Sequence, residues 1–190
     1  MMMTLEKLND IRQATFQTMN LRGLPSDRLT GPYKWSVVVC MGTGCTSSRS
    51  PQIRERLKAL IERDGLADQI EIVGSGCFGL CEAGPVVIVH PGGTFYSHLE
   101  VEDIDRIYQE HLVEGQPVLD LIYEDAKTDE GLLAYSQVPF TAHQERIALR
   151  NSGHIDPENI REYIALGGYR ALYQADRKST RLNSSHITIS

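Results

Sequence analysis

The sequence predicts an α/β (α+β) unit of order β-α-β-β-β-α over about residues 35 to 123, and three observations carry that reading. Two short β-branched runs, "SVVVC" ending at Cys40 and "QIEIVGSGC" ending at Cys77, each pass straight into a glycine-rich cysteine loop. Between them Ile53, Leu57, Leu60 and Ile61 recur at helical spacing. After them "PVVIVH" and "TFYSHL" flank the turn "PGG", which predicts a hairpin.

The remaining elements follow in chain order. Leu5, Leu8, Ile11, Phe16 and Met19 fall on one side of an N-terminal helix over residues 4 to 20, and "LRGLPSDRLTGPYK" after it is a loop by its Gly and Pro content. The pair Ser50 and Pro51 predicts an N-cap and first helical position, and Gly65 a stop. Val101, Ile104, Ile107, Tyr108 and Leu112 predict a helix over 100 to 113 whose first turn carries Glu100, Glu102 and Asp103, with Gly115 ending it. The acidic stretch 124–138 reads as a linker. In "HIDPENIREYIALGGYRAL", Asp156 as N-cap, Pro157 at the first position and Gly167-Gly168 as a break predict a further helix that needs a partner surface. The final residues "RKSTRLNSSHITIS" continue no preceding pattern and resemble a non-native tail, here bounded as 176–190.

Composition narrows the function classes. A formal charge of −6 over 190 residues, with no basic stripe, argues against nucleic-acid binding. No apolar run approaches a membrane span, and the start "MMMTLEKLNDIRQ" lacks the apolar core of a signal peptide, so the expected location is the cytoplasm, either free or peripheral to a membrane complex. A reducing compartment disfavours disulfides and moves metal ligation forward for the four cysteines.

Those cysteines lie at Cys40, Cys45, Cys77 and Cys81. The helix between the pairs makes the two preceding strands parallel, so both cysteine loops leave the same edge of the sheet and converge. Four converging thiols suit a tetrathiolate centre, iron–sulfur or zinc. The alternative function is accordingly a zinc-stabilised protein-interaction module. The wide loops suit two bridged irons better than zinc's short chelating turns. Gly42, Gly44, Gly76, Gly79 and Gly84 crowd the thiols, where glycine lets backbone amides approach sulfur and offset its charge. Phe78 and Leu80 would shield the centre from water, Glu82 reads as a solvated loop carboxylate, and Arg49, Arg54 and Arg56 as an exposed helix face. The six histidines are dispersed and read as surface or turn residues. No catalytic triad or glycosidase carboxylate pair is evident, and no catalytic residue is assigned.

At "VCMGTGC…GCFGLCEAGPVVIVHPGGTFY" the sequence resembles the thioredoxin-like [2Fe–2S] ferredoxins, over about residues 34 to 123. That resemblance implies a thioredoxin-like fold, electron transfer, and one [2Fe–2S] cluster ligated by Cys40, Cys45, Cys77 and Cys81. The stretch "QERIALRNSGHIDPENIREYIALGGYRAL" looks like the start of the flavin- and NADH-binding subunit of complex I and of NAD(P)-linked hydrogenases and formate dehydrogenases. The implied layout is an N-terminal helix and loop (1–33), the [2Fe–2S] domain (34–123), the linker (124–138) and the start of a truncated flavin/NADH-binding domain (139–175). This implies an NAD(P)H-dependent oxidoreductase subunit whose partners are other iron–sulfur and flavin subunits, with homodimerisation allowed. The glycine-rich segment that holds flavin and dinucleotide in that family does not follow "GGYRAL", so FMN and NAD(P) are expected only in a longer protein and neither has a site here.

Overall fold

A computed structural model describes residues 4–19, 22, 32–125 and 130–178. Most of the loop expected at 21–34, and the tail from 179 onward, lie outside the described residues.

The sheet is mixed. Strand β1 (Trp35–Cys40) sits between β2 (Ile70–Ser75), to which it runs parallel, and β3 (Val87–His90), to which it runs antiparallel; β4 (Thr94–Tyr96) pairs antiparallel with β3. The register sets Cys40 opposite Ser75, so β1 and β2 end side by side as the crossover rule requires. The hairpin at "PGG" forms, with Gly92 and Gly93 at positive φ.

Side chains alternate across this sheet, and both faces are buried, which explains the uninterrupted apolar run Val37-Val38-Val39. Val37, Val39, Val87 and Val89 pack under Ile53, Leu57, Leu60 and Ile61 of α3 (Ser50–Arg63) and under Ile104, Ile107 and Tyr108 of the following helix. Val38, Cys40, Ile88 and Phe95 face the other way, with Cys45, Phe78 and Val138. Cys40 and Cys45 thus belong to the face opposite α3.

Two predicted caps are corrected. Ser50 is itself the first residue of α3, fully buried, with its hydroxyl directed at the Met41 sulfur; Arg49, at φ 71°, holds the cap position. In α6 (Ile160–Ala165) the cap is Asn159, whose side chain accepts from the Arg161 amide, while Asp156 accepts from the Glu158 amide in a turn one step earlier. The helix expected over 100 to 113 begins as α4 (Asp103–Arg106), widens into a π-helical segment Ile107–Val113, and stops before Gly115 at φ 82°.

Helix α1 (Leu5–Thr18) buries Leu8 and packs against α6, and Met19 just beyond it is fully buried. Leu5 is exposed, so the apolar stripe is narrower than expected. The partner surface that α6 required is therefore α1. The stretch 124–138, read as a linker, contributes strands β5 (Tyr123–Asp125) and β6 (Glu130–Leu132), a 3-10 turn at Tyr135–Gln137, and the fully buried Val138.

Arg22 joins these pieces. Its guanidinium is 1% exposed and forms ion pairs with Glu71 of β2 and Glu162 of α6, the latter at 2.6 Å. Ser36 donates to Glu71, and the Asp156 amide and Asn159 side chain donate to Glu162, so the carboxylates are held from both sides. Burial alone would lower the Arg22 pKa, but the Glu162 and Glu71 carboxylates hold it above the ordinary arginine value.

The reading of the histidines as surface groups fails for two of them. His111 is buried because it follows Ile107 by four residues on the core side of the helix; its Nδ1 and the Tyr96 hydroxyl share a hydrogen bond of 2.8 Å, and the Tyr96 oxygen accepts from the Val118 amide. His90, at the end of β3, is covered on the side of His154 and Arg22. Burial lowers both rings to about 4, aided at His90 by the His154 and Arg22 charges. Folding thus prefers both neutral, and the unfolded chain takes up protons first as pH falls below about 6.5. This stability is complete above about 6.5 and lost as pH falls through about 4, on the order of 3 kcal/mol per ring. Denaturant midpoints are expected to fall steeply across that window and less steeply in His111→Gln; the same slope in both chains would contradict the assignment.

Candidate metal centre

The first thiol closes β1. Cys40 is 1% exposed, its amide bonds the Val86 carbonyl at 3.1 Å, and the next amide, of Met41, bonds the Ser75 carbonyl at 2.8 Å. The end of β1 is therefore fastened to both neighbouring segments. The loop after it is more regular than its glycines suggested. Residues Thr43–Ser47 wind into a short helix, α2, begun by the Thr46 amide bonding the Gly42 carbonyl at 2.9 Å, and this turns Cys45 inward to 2% exposure.

The second pair leaves β2. Cys77 is half-buried and Cys81 exposed at the start of a 3-10 turn, Cys81–Ala83, with their sulfurs 3.9 Å apart. Gly79, at φ 88°, points its amide at the Cys77 sulfur at 3.3 Å, the kind of N–H to sulfur contact expected of the glycines.

The two loops interlock through glycine. A methyl group built on Gly42 would lie 2.9 Å from the Cys77 Cβ and 3.3 Å from its sulfur, and one on Gly44 would lie 3.4 Å from the Cys81 sulfur. On Gly84 it would lie 3.0 Å from the Cys45 sulfur. Gly76 differs: its nearest neighbour would be the Ser152 hydroxyl at 3.6 Å, while its carbonyl oxygen lies 3.9 Å from the Cys40 sulfur. Since Gly42 has an ordinary φ of −64°, the cost of a side chain there is purely steric. Gly42→Ala is expected to lower iron incorporation at least several-fold and Gly76→Ala to leave it near wild type; equal loading of the two variants would contradict the interlocked geometry.

Each pair shares protons internally. The Cys45 thiol donates to the Cys40 sulfur, and that hydrogen bond, opposed by burial, lowers Cys40 to about 6; the same contact and burial push Cys45 up. Cys81 is pushed up by its contact with Cys77. Since metals bind thiolates, loading one must expel the protons that these contacts hold on Cys45 and Cys81.

The donor set fits the group that the sequence suggests. Four sulfurs converge as two pairs inside a cradle that side chains would fill. Among the described residues no group of three or more Cys, His, Asp or Glu side chains is arranged around a single ion position. No helix among the described residues is long and apolar enough to cross a membrane.

Three groups around the site had no local signal in the sequence. The Tyr135 hydroxyl donates to the Phe78 carbonyl at 2.9 Å, Arg146 donates to the same carbonyl at 2.6 Å and to the Tyr135 oxygen at 2.7 Å, and the Gly153 amide donates to Ser75 at 2.8 Å. The aromatic and apolar pair Tyr135 and Val138, three residues apart, was the one available hint that this stretch packs. Glu82 is exposed as expected, and Arg56 pairs with Asp105 on the surface.

No family model matches the chain. It is 31% identical over 74 residues to a 2Fe-2S ferredoxin of Clostridium pasteurianum, across 39% of this chain and 72% of that ferredoxin. It is 36% identical over 78 residues to a 2Fe-2S ferredoxin of Aquifex aeolicus (strain VF5), across 39% of this chain and 70% of the relative. Among solved structures, the wild-type thioredoxin-like [2Fe–2S] ferredoxin from Aquifex aeolicus matches at 28% identity with a TM-score of 0.46, over 49% of this chain and 99% of that one. By its paired cysteines and its identity to two such proteins over more than two thirds of their length, the chain belongs to the 2Fe-2S ferredoxin family.

Proposed function

We propose that the chain carries single electrons through a [2Fe–2S] centre held by Cys40, Cys45, Cys77 and Cys81. The observation that carries this is the convergence of two cysteine pairs on loops that approach each other closely through glycine. Bound there, the group would accept and release one electron between ferric and ferrous iron. Cys40 and Cys45 would hold it from the buried side, and Cys77 and Cys81 from the side nearer solvent. The Gly79 amide would offset negative charge at the Cys77 sulfur. Phe78, fully buried, excludes water from the second loop. Exposed Cys81 marks the side where a redox partner comes closest.

The wider context rests on residues 139–175 and their resemblance to the start of flavin- and NADH-binding subunits. In this reading the cysteine domain is the electron-carrying front of an NAD(P)H-dependent flavin/iron–sulfur oxidoreductase of the complex I or hydrogenase type. Its partners are other iron–sulfur and flavin subunits, and FMN and NAD(P) bind only in the longer protein. Two titrations test the parts separately. Anaerobic dithionite should bleach the visible absorption with uptake of one electron per chain, and a chain that takes up none is no electron carrier. FMN and NADH added to this chain should show no tight binding; tight binding of either would overturn the assignment of 139–175 as an incomplete site.

A further inference from the structure

Arg146 is the one cationic side chain among the described residues that hydrogen-bonds the backbone of either cysteine loop. It is half-buried, and its Nη2 donates to two oxygens at once, the Phe78 carbonyl at 2.6 Å and the Tyr135 hydroxyl at 2.7 Å. The guanidinium lies over the Tyr135 ring, 5.8 Å from its centroid, and no carboxylate among the described residues forms an ion pair with it. Phe78 separates two residues that matter at the site. Before it stands Cys77, and after it Gly79, whose amide points at the Cys77 sulfur at 3.3 Å. A Cβ on Gly79 would lie 3.4 Å from the Arg146 Nη2, so the guanidinium sits against this turn. The same segment presses further on it: Gly153 lies against the Phe78 ring, and its amide is bonded to Ser75 at the end of β2.

We propose that Arg146 is a positioning residue that raises the reduction potential of the cysteine centre, an inference that rests on the [2Fe–2S] reading above. Two effects act in the same direction. By holding the Phe78 carbonyl, Arg146 fixes the turn in which the Gly79 amide faces the Cys77 sulfur, and such an amide stabilises charge gained at that sulfur. Its own positive charge, in a site partly shielded from water, attracts the added electron. On reduction one electron from a chemical reductant such as dithionite enters the centre, whose net charge goes from about −2 to about −3 with no covalent bond formed or broken. Arg146 favours the more negative state. Because Arg146 lies beyond residues 34 to 123, this couples the potential to how the segment after the cysteine domain is seated.

The test is anaerobic potentiometry of the full chain as wild type, Arg146→Gln and Arg146→Lys, with alkylation of the Cys77 thiol in the iron-free proteins as a second readout. Arg146→Gln should shift the reduction equilibrium about tenfold toward the oxidised form, a midpoint lower by about 59 mV for one electron. Arg146→Lys should fall between, since an ammonium keeps the charge but cannot serve both oxygens as the planar guanidinium does. Cys77 alkylation, run at a pH where the thiol is ionised so that it reads access to the sulfur, should be several-fold faster in Arg146→Gln, whose turn is no longer held. A midpoint equal to wild type in Arg146→Gln overturns the proposal. If that variant does not retain the centre, Arg146→Lys decides: a lowered midpoint supports the proposal and an unchanged one overturns it. Wild-type protein without iron would overturn the cluster reading by itself; unchanged Cys77 alkylation in Arg146→Gln would then overturn the positioning role, and faster alkylation would support it.

Discussion

Cys45→Ala is expected to give a colourless chain holding less than about a tenth of the wild-type iron and sulfide, because losing one of four thiolates leaves an iron under-coordinated. Position matters to the size of this effect. Cys45 is 2% exposed inside α2 and packed against Gly84, so no water or neighbouring donor can take its place. Cys81 is exposed, and a substituted side chain or solvent can reach its position. Cys81→Ser should therefore keep a fraction of the centre that Cys45→Ala does not. If Cys45→Ala retains full iron and sulfide, the ligand assignment is wrong. Loss from both variants to the same degree would contradict the inside-to-outside ordering of the pairs.

Arg22→Ala should cost 3–5 kcal/mol of stability, roughly what breaking a buried ion pair costs when the opposite charge stays behind. Glu162 is 5% exposed and keeps its bonds from Asp156 and Asn159, so its carboxylate cannot turn to water once the guanidinium is gone. The loss is best read from urea midpoints at unchanged slope. Arg22→Ala combined with Glu162→Gln should cost less than the sum of the single changes, because the second removes the charge stranded by the first. A single-variant loss under about 1 kcal/mol, the range of a surface pair, would contradict the triad's role. Where Arg22→Ala still folds, its iron content should match wild type, since Arg22 makes no bond to either cysteine loop among the described residues.

The parts of the fold legible in the sequence were those fixed by local chemistry. Val37 to Cys40, Ile70 to Ser75 and the "PGG" turn announced their strands by side-chain type. The parallel pairing of β1 with β2 followed from the intervening helix and brought the cysteine loops together. Local reasoning failed where distant groups decided the outcome. Ser50 has an N-cap's chemistry, but its buried hydroxyl faces Met41, so the cap moved to Arg49. Gly42 and Gly44 look like helix breakers, yet Thr43–Ser47 is helical and carries Cys45 inward. Arg22 lay in a stretch that read as loop because its two carboxylate partners are 49 and 140 residues away. His90 and His111 read as polar and dispersed, and only the packed sheet shows what covers them. The cysteine pairs were legible for the opposite reason: each sits in one short loop whose spacing survives in the linear sequence.

The central claim, a [2Fe–2S] centre on these four thiols, is tested most directly by elemental analysis of the chain purified without oxygen. The expected result is about two irons and two acid-labile sulfides per chain, with visible absorption. Colourless protein holding about one zinc and no sulfide would contradict it and leave a structural metal site in its place.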